Sequence, residues 1–192
     1  MKNPVLGKVK TRLARTIGEE KALDVYQFLL QHTLQITLPL VYDKIVYYSA
    51  FIPEKDEWSA SGYRQELQFG KDLGERMFHA FQHEFKNKYE SIGIIGSDCG
   101  ELTTGIVVEG FNKLKQSEVV IGPATDGGYY FLGMRQLHKN IFNRKEWGSS
   151  TVLADTVSEL DNACVTYDLL PQLHDIDREE DLQHIRFKSG QL

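Results

Sequence analysis

The stretch SIGIIGSDCGELT, residues 91–103, decides the fold class of this chain. Its first six residues form a short apolar run, which is typical of a fully buried strand. A polar turn follows at once, and the pattern then predicts a helix from about Thr103 to Lys115. A buried strand that leads through a short turn into a helix is one half of a β-α-β unit.

The same alternation of strands and helices runs along the rest of the chain. The patterns predict strands at 44–50, 63–69, 118–122, 128–134 and 163–167, and helices at about 19–38, 72–89, 149–162 and 178–187. This order predicts an α/β fold with a mostly parallel sheet that is covered by helices on both faces. In such folds ligands bind beyond the carboxyl ends of the strands, so the loops there are where we expect function.

Positive charge is concentrated at the start of the chain. The formal net charge is −5, yet the first fifteen residues hold five cations and no acid. An acidic body with one small cationic segment suits a compact anion such as a phosphorylated metabolite, whereas a nucleic acid would need a basic face. We therefore expect a small-molecule partner and no nucleic acid.

Length, cysteine content and hydropathy indicate the setting of the protein. A chain of 192 residues is long enough for one domain with a sizeable core, and we expect a single domain over 1–192. Cys99 and Cys164 lie far apart, which predicts neither a disulfide framework nor a cysteine zinc site. No apolar run approaches the roughly twenty residues that span a bilayer. We expect a cytoplasmic protein without a membrane partner, and the sequence leaves its oligomeric state open.

The opening segment NPVLGKVKTR, residues 3–12, is a candidate phosphate loop. It differs from a P-loop, because Lys2 stands where the first glycine belongs and Val9 replaces the Ser or Thr after the lysine. What remains is a loop shaped by Pro4 and Gly7, with cations at alternate positions that can hold phosphate groups. These cations are Lys8, Lys10 and Arg12. The alternative interpretation is a solvated basic terminus.

Asp98 is a candidate metal ligand, because it directly follows the most apolar strand. A carboxylate at this position suits Mg²⁺ or Mn²⁺ carrying a diphosphate. Alternatively, Asp98 only shapes the turn. Its neighbour Cys99 has no histidine nearby in the sequence, which favours a small turn residue over a nucleophile.

The segment GPATDGGYYFLGM, residues 122–134, joins two predicted strands through Asp126, Gly127 and Gly128. Asp-Gly is a strong signal for a tight turn, and this alone accounts for Asp126 without any chemistry. In the functional interpretation, the glycines let the backbone approach a ligand closely while the carboxylate faces an acceptor hydroxyl or a metal.

The last acidic motif, HDIDREEDL at residues 174–182, offers two carboxylates and an imidazole. Asp175, Asp177 and His174 could complete a metal shell beside a site. Asp177 with Glu180 three residues later also resembles a capping box at the start of the closing helix.

His79 and His83 are four residues apart on a predicted helix, as in some zinc sites. They lie away from its apolar face, and the sequence offers them no third ligand. We expect ordinary surface histidines.

Six segments together resemble a bacterial family of uncharacterised GT-A-like proteins, described as nucleotide-diphospho-sugar transferases or as glycosyltransferase-like. The segments are KNPVLGKVKTRL, DLGERM, GSDCGELT, GPATDGGYYFLG, WGSSTVLADT and LHDIDREEDL. They follow the order of the family and cover nearly the whole chain. The opening loop of this family is also similar to that of guanylyltransferases of cofactor biosynthesis, and its final acidic motif resembles that of sugar-nucleotide cytidylyltransferases.

The resemblance implies a GT-A fold, a Rossmann-like three-layer α/β/α sandwich that binds a nucleotide diphosphate portion and a divalent metal, Mg²⁺ or Mn²⁺. It implies that Asp98 holds the metal with Asp177 as the preferred partner and Asp175 as the second choice. The phosphates would lie on the opening loop, at Gly7, Lys8, Lys10 and Arg12.

On the acceptor side, the resemblance implies that Asp126, Gly127 and Gly128 face the acceptor, near Trp147 and Ser150. The leading hypothesis is transfer of a sugar from a nucleotide diphosphate sugar to an acceptor, with Lys10 stabilising the leaving group and Asp126 acting as a base. One alternative is a nucleotidyltransferase, of guanylyl or cytidylyl type, that activates a small phosphorylated metabolite. Another is a nucleotide-binding module without turnover.

This sequence departs from the family at two places. Gly100 stands where the family often has proline, which loosens the turn after Asp98. The family also has an apolar strand before the phosphate loop, whereas this loop starts at residue 3. We expect that the first strand is missing because the sequence as given is shortened.

Overall fold

A computed structural model describes residues 1–143 and 145–185 of the chain. Six α-helices and six strands occur within these residues. The helices are α1 (Thr11–Ile17), α2 (Glu19–Thr37), α3 (Glu57–Ala60), α4 (Leu73–Lys86), α5 (Thr104–Lys113) and α6 (Val152–Asn162). The strands are β1 (Ile45–Tyr48), β2 (Arg64–Leu67), β3 (Ile92–Ile95), β4 (Val119–Pro123), β5 (Tyr129–Met134) and β6 (Tyr167–Leu169). Two short 3-10 helices lie at Lys139–Phe142 and Glu179–His184.

The strands form two sheets where the sequence predicts one. β1 and β2 pair in parallel, and the larger sheet has the order β3-β5-β4-β6. β5 is antiparallel to β3 and β4, whereas β4 and β6 are parallel. Consequently β3, β4 and β6 run in the same direction, and their carboxyl ends share one edge of the sheet. The α/β class is confirmed, with β5 as the reversed strand.

Helices cover both faces of the larger sheet. On one face, Val120 and Phe131 belong to the same core cluster as Val107 of α5. On the other face, Ile121 and Leu132 lie in the cluster that includes α4 and α6. Neighbouring strand residues therefore point to opposite faces, as the pleat requires, and the three-layer arrangement follows.

Helix α2 connects the smaller sheet to the rest of the molecule. Its residues Leu30 and Leu34 pack with Val46 of β1 in one core cluster. Leu29, one position away, packs in another cluster with Ile176 from the segment after β6. The apolar stripe of α2 is thus wide enough to pack against both β1 and the segment after β6.

The last strand and the closing helix differ from the prediction. The strand predicted at 163–167 was placed too early, because Ala163 still bonds back to α6 and Cys164 adopts a left-handed φ of 52°. Pairing with β4 begins only at Tyr167. The predicted closing helix is a 3-10 helix over Glu179–His184, and residues 186–187 of that prediction lie outside the described residues.

The edge of β1 also holds the first residue of the chain. The Ser49 amide donates to the Met1 carbonyl at 3.0 Å, and the Met1 ammonium donates to the Tyr47 carbonyl at 2.5 Å. The expectation of a strand before the opening loop stays a prediction. Across the described part of the chain, we find no helix with the length and apolar character needed to cross a membrane.

Candidate active site

Backbone hydrogen bonds hold three loops together at the carboxyl edge of the larger sheet. The Ile176 amide, after β6, donates to the Asp98 carbonyl, after β3, at 2.9 Å, and Cys99 pairs with Asp175 as an isolated bridge. The Thr125 amide, after β4, donates to the Leu173 carbonyl at 3.0 Å. The segment after β6 therefore bridges the other two loops and brings their carboxylates to one place.

The buried side chain of Lys10 lies among these carboxylates. Its Nζ lies 2.7 Å from Oδ1 of Asp98 and 3.7 Å from Oδ1 of Asp177. It also donates to the Ile176 carbonyl at 2.6 Å. Only 4% of the side chain is exposed, so this ion pair is shielded from water on the lysine side. Lys10 has a left-handed φ of 46°, which is uncommon for a residue with a side chain.

The other cations of the opening loop remain at the surface. Arg12 places Nη1 3.1 Å from Oδ2 of Asp177, and Lys8 is exposed. Gly7 has a φ of 71°, so the loop turns there with a conformation that favours glycine. The structure therefore separates one buried cation, Lys10, from two that solvent can reach.

Asn3 anchors this loop, and the sequence patterns did not single it out. Its buried side chain accepts a hydrogen bond from the Ala50 amide at 3.1 Å and donates to the Phe51 carbonyl at 2.9 Å. These bonds fix the opening loop to the chain after β1. The Asn-Pro pair, a common turn signal, was the available hint.

The surroundings of Asp175 raise the pKa of its carboxyl group. Burial, together with the nearby charges of Asp98 and Asp126, raises the pKa of Asp175 to about 7. Lys10 lowers that pKa and Asp177 raises it. A carboxyl whose pKa is raised by burial and by neighbouring acids marks a place where another cation is favoured. Carboxylate oxygens are the donors that Mg²⁺ and Mn²⁺ prefer. Among the described residues, those of Asp98, Asp175 and Asp177 do not converge into a three-ligand cluster, so metal binding by these acids stays a prediction.

The turn between β4 and β5 packs closely against the start of α6. Oδ1 of Asp126 accepts a hydrogen bond from the Gly128 amide at 2.8 Å. Gly127 has a φ of 89°, and a Cβ placed there would lie 2.1 Å from the Ser150 carbonyl oxygen. The turn interpretation of these residues is therefore correct. Asp126 is nevertheless exposed, and its negative charge contributes to the raised pKa of Asp175.

Trp147 lies against the first turn of α4. A Cβ placed on Gly74 would lie 2.2 Å from the indole nitrogen, and the indole meets the Tyr129 ring edge-on at 6.4 Å. These contacts give Trp147 a packing role in the core. Its position near the acceptor stays a prediction.

The carboxylate of Asp177 does not cap the closing helix. Instead, Asp181 accepts hydrogen bonds from the amides of Asp177 at 2.9 Å and Arg178 at 2.7 Å. The capping box predicted between Asp177 and Glu180 is therefore wrong. The Asp177 carboxylate instead contacts Lys10.

The histidines also have definite partners. His174 Nδ1 lies 2.9 Å from Oε2 of Glu101, a residue that the sequence patterns missed. His79 packs edge-on against Phe69, and His83 lies 3.3 Å from the Tyr47 hydroxyl. Among the described residues, the His79 and His83 pair belongs to no three-ligand cluster.

Comparison with known proteins places the chain in a family. Residues 33–149 match the family described as "Uncharacterized protein conserved in bacteria (DUF2064)". The chain belongs to the DUF2064 family. The resemblance drawn from the six motifs is thereby confirmed at the level of the family.

Two solved structures are similar to this DUF2064 chain. A protein from Desulfovibrio desulfuricans G20, provisionally described as a nucleotide-diphospho-sugar transferase, is 34% identical over 95% of this chain and 81% of that chain, with a TM-score of 0.88. A mycobacterial protein from strain JC1, a homologue of Mycobacterium tuberculosis rv0371c, is 15% identical over 81% of this chain and 79% of that chain, with a TM-score of 0.53, and is similar in fold alone. No curated protein matches the chain significantly.

Proposed function

We propose that this DUF2064 protein is a divalent-metal-dependent transferase that moves a sugar from a nucleotide diphosphate sugar to an acceptor hydroxyl. The observation that carries the proposal is the group of carboxylates around Lys10, from loops after β3 and β6, at the edge where α/β folds bind ligands. The described activity of the similar Desulfovibrio protein is of the same class.

Asp98 and Asp177 would hold Mg²⁺ or Mn²⁺, with Asp175 as a further ligand. The metal would neutralise charge on the diphosphate, which makes that group a better leaving group. Binding at this place also lowers the cost of ionising Asp175, because a cation compensates the neighbouring acids.

The side chains of the protein have distinct tasks in this proposal. Arg12 and Lys8, which solvent can reach, bind the diphosphate. Lys10 holds Asp98 and Asp177 in place. It also stabilises the negative charge that develops on the leaving group. Asp126 accepts the proton of the acceptor hydroxyl. The acceptor oxygen forms a bond to the anomeric carbon, while the bond from that carbon to the diphosphate oxygen breaks and its electron pair leaves with the diphosphate.

Ligand binding tests the proposal directly. We expect Mn²⁺ together with a nucleoside diphosphate or its sugar adduct to raise the melting temperature more than either component alone. Selective stabilisation by one nucleoside triphosphate would favour nucleotidyl transfer instead. The absence of any metal-dependent nucleotide binding would overturn both reactions.

Asp98→Asn tests the metal ligand. This change removes a charge that faces Lys10 but keeps the size of the side chain, so we expect the fold to persist and metal-dependent nucleotide binding to weaken by at least about tenfold. Isothermal titration with Mn²⁺ and the nucleotide measures the effect. Asp24→Asn, at an exposed position of α2, is the matched control and should bind like the wild type. Equal affinity of the two variants would remove Asp98 from the site.

A further inference from the structure

A second group of metal-binding side chains lies beside the acidic site but uses different residues. Glu101 follows β3, His174 follows β6, and His184 ends the 3-10 helix at Glu179–His184. One ligand atom from each side chain lies within 4.8 Å of the other two. All three residues are half-buried.

The Glu101 carboxylate lies between the two imidazoles. Its Oε2 accepts hydrogen bonds from the backbone amide and from Nδ1 of His174, both at 2.9 Å. Its Oε1 lies 3.6 Å from Nδ1 of His184. Both Nδ1 atoms therefore lie on the side of the rings that faces the carboxylate, and Nδ1 of His174 would release its proton when it binds a metal.

The two imidazole rings of this cluster lie side by side. The two imidazoles are stacked, with centroids 3.6 Å apart and planes 8° from parallel. A metal binds an imidazole through the lone pair of a ring nitrogen that carries no proton.

We propose that Glu101, His174 and His184 form a second cation site, specific for a borderline metal of the Zn²⁺ class and distinct from the carboxylate site at Asp98. Two imidazoles and one carboxylate are a donor set that Zn²⁺ prefers and Mg²⁺ does not. Three protein ligands leave a fourth position for water or for a ligand group.

Closure of the site needs only local movement. In a tetrahedral site with bonds near 2.1 Å, ligand atoms are about 3.4 Å apart. The distances of 2.9 Å and 3.6 Å from the carboxylate oxygens to the two Nδ1 atoms are already close to that value, and all three ligand atoms lie within 4.8 Å of one another. The rings must also turn out of their stack, so that both lone pairs point to one centre. His184 lies at the end of a short 3-10 helix and can turn with little disturbance to the sheet.

Such an ion would act on the neighbouring acidic site through the chain. Glu101 is three residues from Asp98, and His174 directly precedes Asp175. A bond from each to one metal would hold the loop after β3 against the segment after β6, in addition to the backbone bond from Ile176 to Asp98. The second site is therefore a positioning device for the carboxylates.

Titration of the full chain with Zn²⁺ in a large excess of Mg²⁺ tests this inference, because Mg²⁺ occupies the oxygen donors. We expect one Zn²⁺ per chain, and with Co²⁺ an absorption spectrum typical of nitrogen and oxygen ligands. His184→Gln should weaken Zn²⁺ binding roughly 100-fold and remove the Co²⁺ spectrum. Glu101→Gln is a second variant and should also weaken Zn²⁺ binding.

The controls separate this site from the proposed active site. The double variant His79→Gln/His83→Gln removes the histidine pair of α4, of which His83 is exposed and His79 half-buried, and should keep Zn²⁺ binding. Asp98→Asn should also keep Zn²⁺ binding, although we expect its Mn²⁺-dependent nucleotide binding to be at least about tenfold weaker. Wild-type protein that binds no Zn²⁺ in excess Mg²⁺, or His184→Gln protein that binds Zn²⁺ as tightly as wild type, would overturn the inference whatever the nucleotide experiments give.

Discussion

Asp175 is a single residue whose ionisation opposes folding. Burial and the charges of Asp98 and Asp126 raise its pKa from 3.8 to about 7. Between these two values the folded protein keeps a proton that the unfolded chain has released. The free energy of unfolding therefore decreases as the pH rises through this window, and Asp175 contributes no further change above it.

We predict that the metal-free protein loses a few °C in melting temperature through Asp175 between about pH 4 and pH 7. Asp175→Asn should reduce this loss, because an amide does not ionise. Thermal melts of both proteins in the presence of a chelator, over a series of pH values, measure the difference. Parallel curves for the two proteins would contradict the assigned pKa.

Gly127 is a second residue at which one added methyl group should change the stability of the fold. Gly127→Ala introduces a methyl group 2.1 Å from the Ser150 carbonyl oxygen and also strains a φ of 89°. Gly148 has the same φ with no atom within 4 Å of the added methyl group, so Gly148→Ala isolates the strain. We predict that Gly127→Ala costs about 2 kcal/mol more than Gly148→Ala in the free energy of unfolding by urea. Equal losses would show that the turn can move away from α6.

The candidate site was only partly predictable at the residue scale. Asp98 could be found because an apolar strand ends directly before it. The contact between Lys10 and the Ile176 carbonyl joins residues 166 positions apart and depends on a left-handed residue, so no local pattern indicates it. Sequence analysis also missed Glu101 and His184, because neither belongs to a motif with metal-ligand spacing.

At the scale of elements, α5 begins with a side-chain cap that joins it to the loop containing Asp98. Oγ1 of Thr103 accepts a hydrogen bond from the Ile106 amide at 3.3 Å. We predict that Thr103→Ala lowers the free energy of unfolding by about 1 kcal/mol, because an amide of the first turn loses its partner. Urea denaturation measures this loss. Thr103→Ser retains the hydroxyl and should cost much less, and a similar loss in both variants would exclude the cap as the cause.

The ends of the strands are set by hydrogen-bonded pairing with neighbouring strands more than by the strand propensity of their residues. The β-branched and aromatic residues of β1 and the continuous apolar run of β3 predicted both strands well. The last strand was placed too early, because ACVTY has strand propensity whereas α6 continues its bonds to Ala163. The reversed direction of β5 follows from the tight turn at Gly127 and Gly128, which the Asp-Gly pair indicated, although the order of the elements predicted a mostly parallel sheet.

At the scale of the whole molecule, the two sheets are joined by the packing of α2. The chain has two tryptophans, with Trp58 in the cluster of the smaller sheet and Trp147 beside the larger one. Because α2 contributes to clusters with β1 and with the segment after β6, we predict one cooperative unfolding transition.

Single-tryptophan variants test this cooperativity. Trp58→Phe leaves a fluorophore only near the larger sheet, and Trp147→Phe leaves one only near the smaller sheet. In each variant, urea midpoints from fluorescence and from far-UV circular dichroism should coincide. Fluorescence of Trp58 that changes at a lower urea concentration than the dichroism would indicate two independently unfolding units.

The two cysteines differ in a way that makes the protein convenient to label. Burial raises the pKa of the Cys99 thiol to about 12, so it is almost never a thiolate at neutral pH. Cys164 is exposed, and it precedes β6 at the edge of the larger sheet opposite the carboxylates. A maleimide dye should therefore attach at one defined position, at the end of the larger sheet away from Asp98.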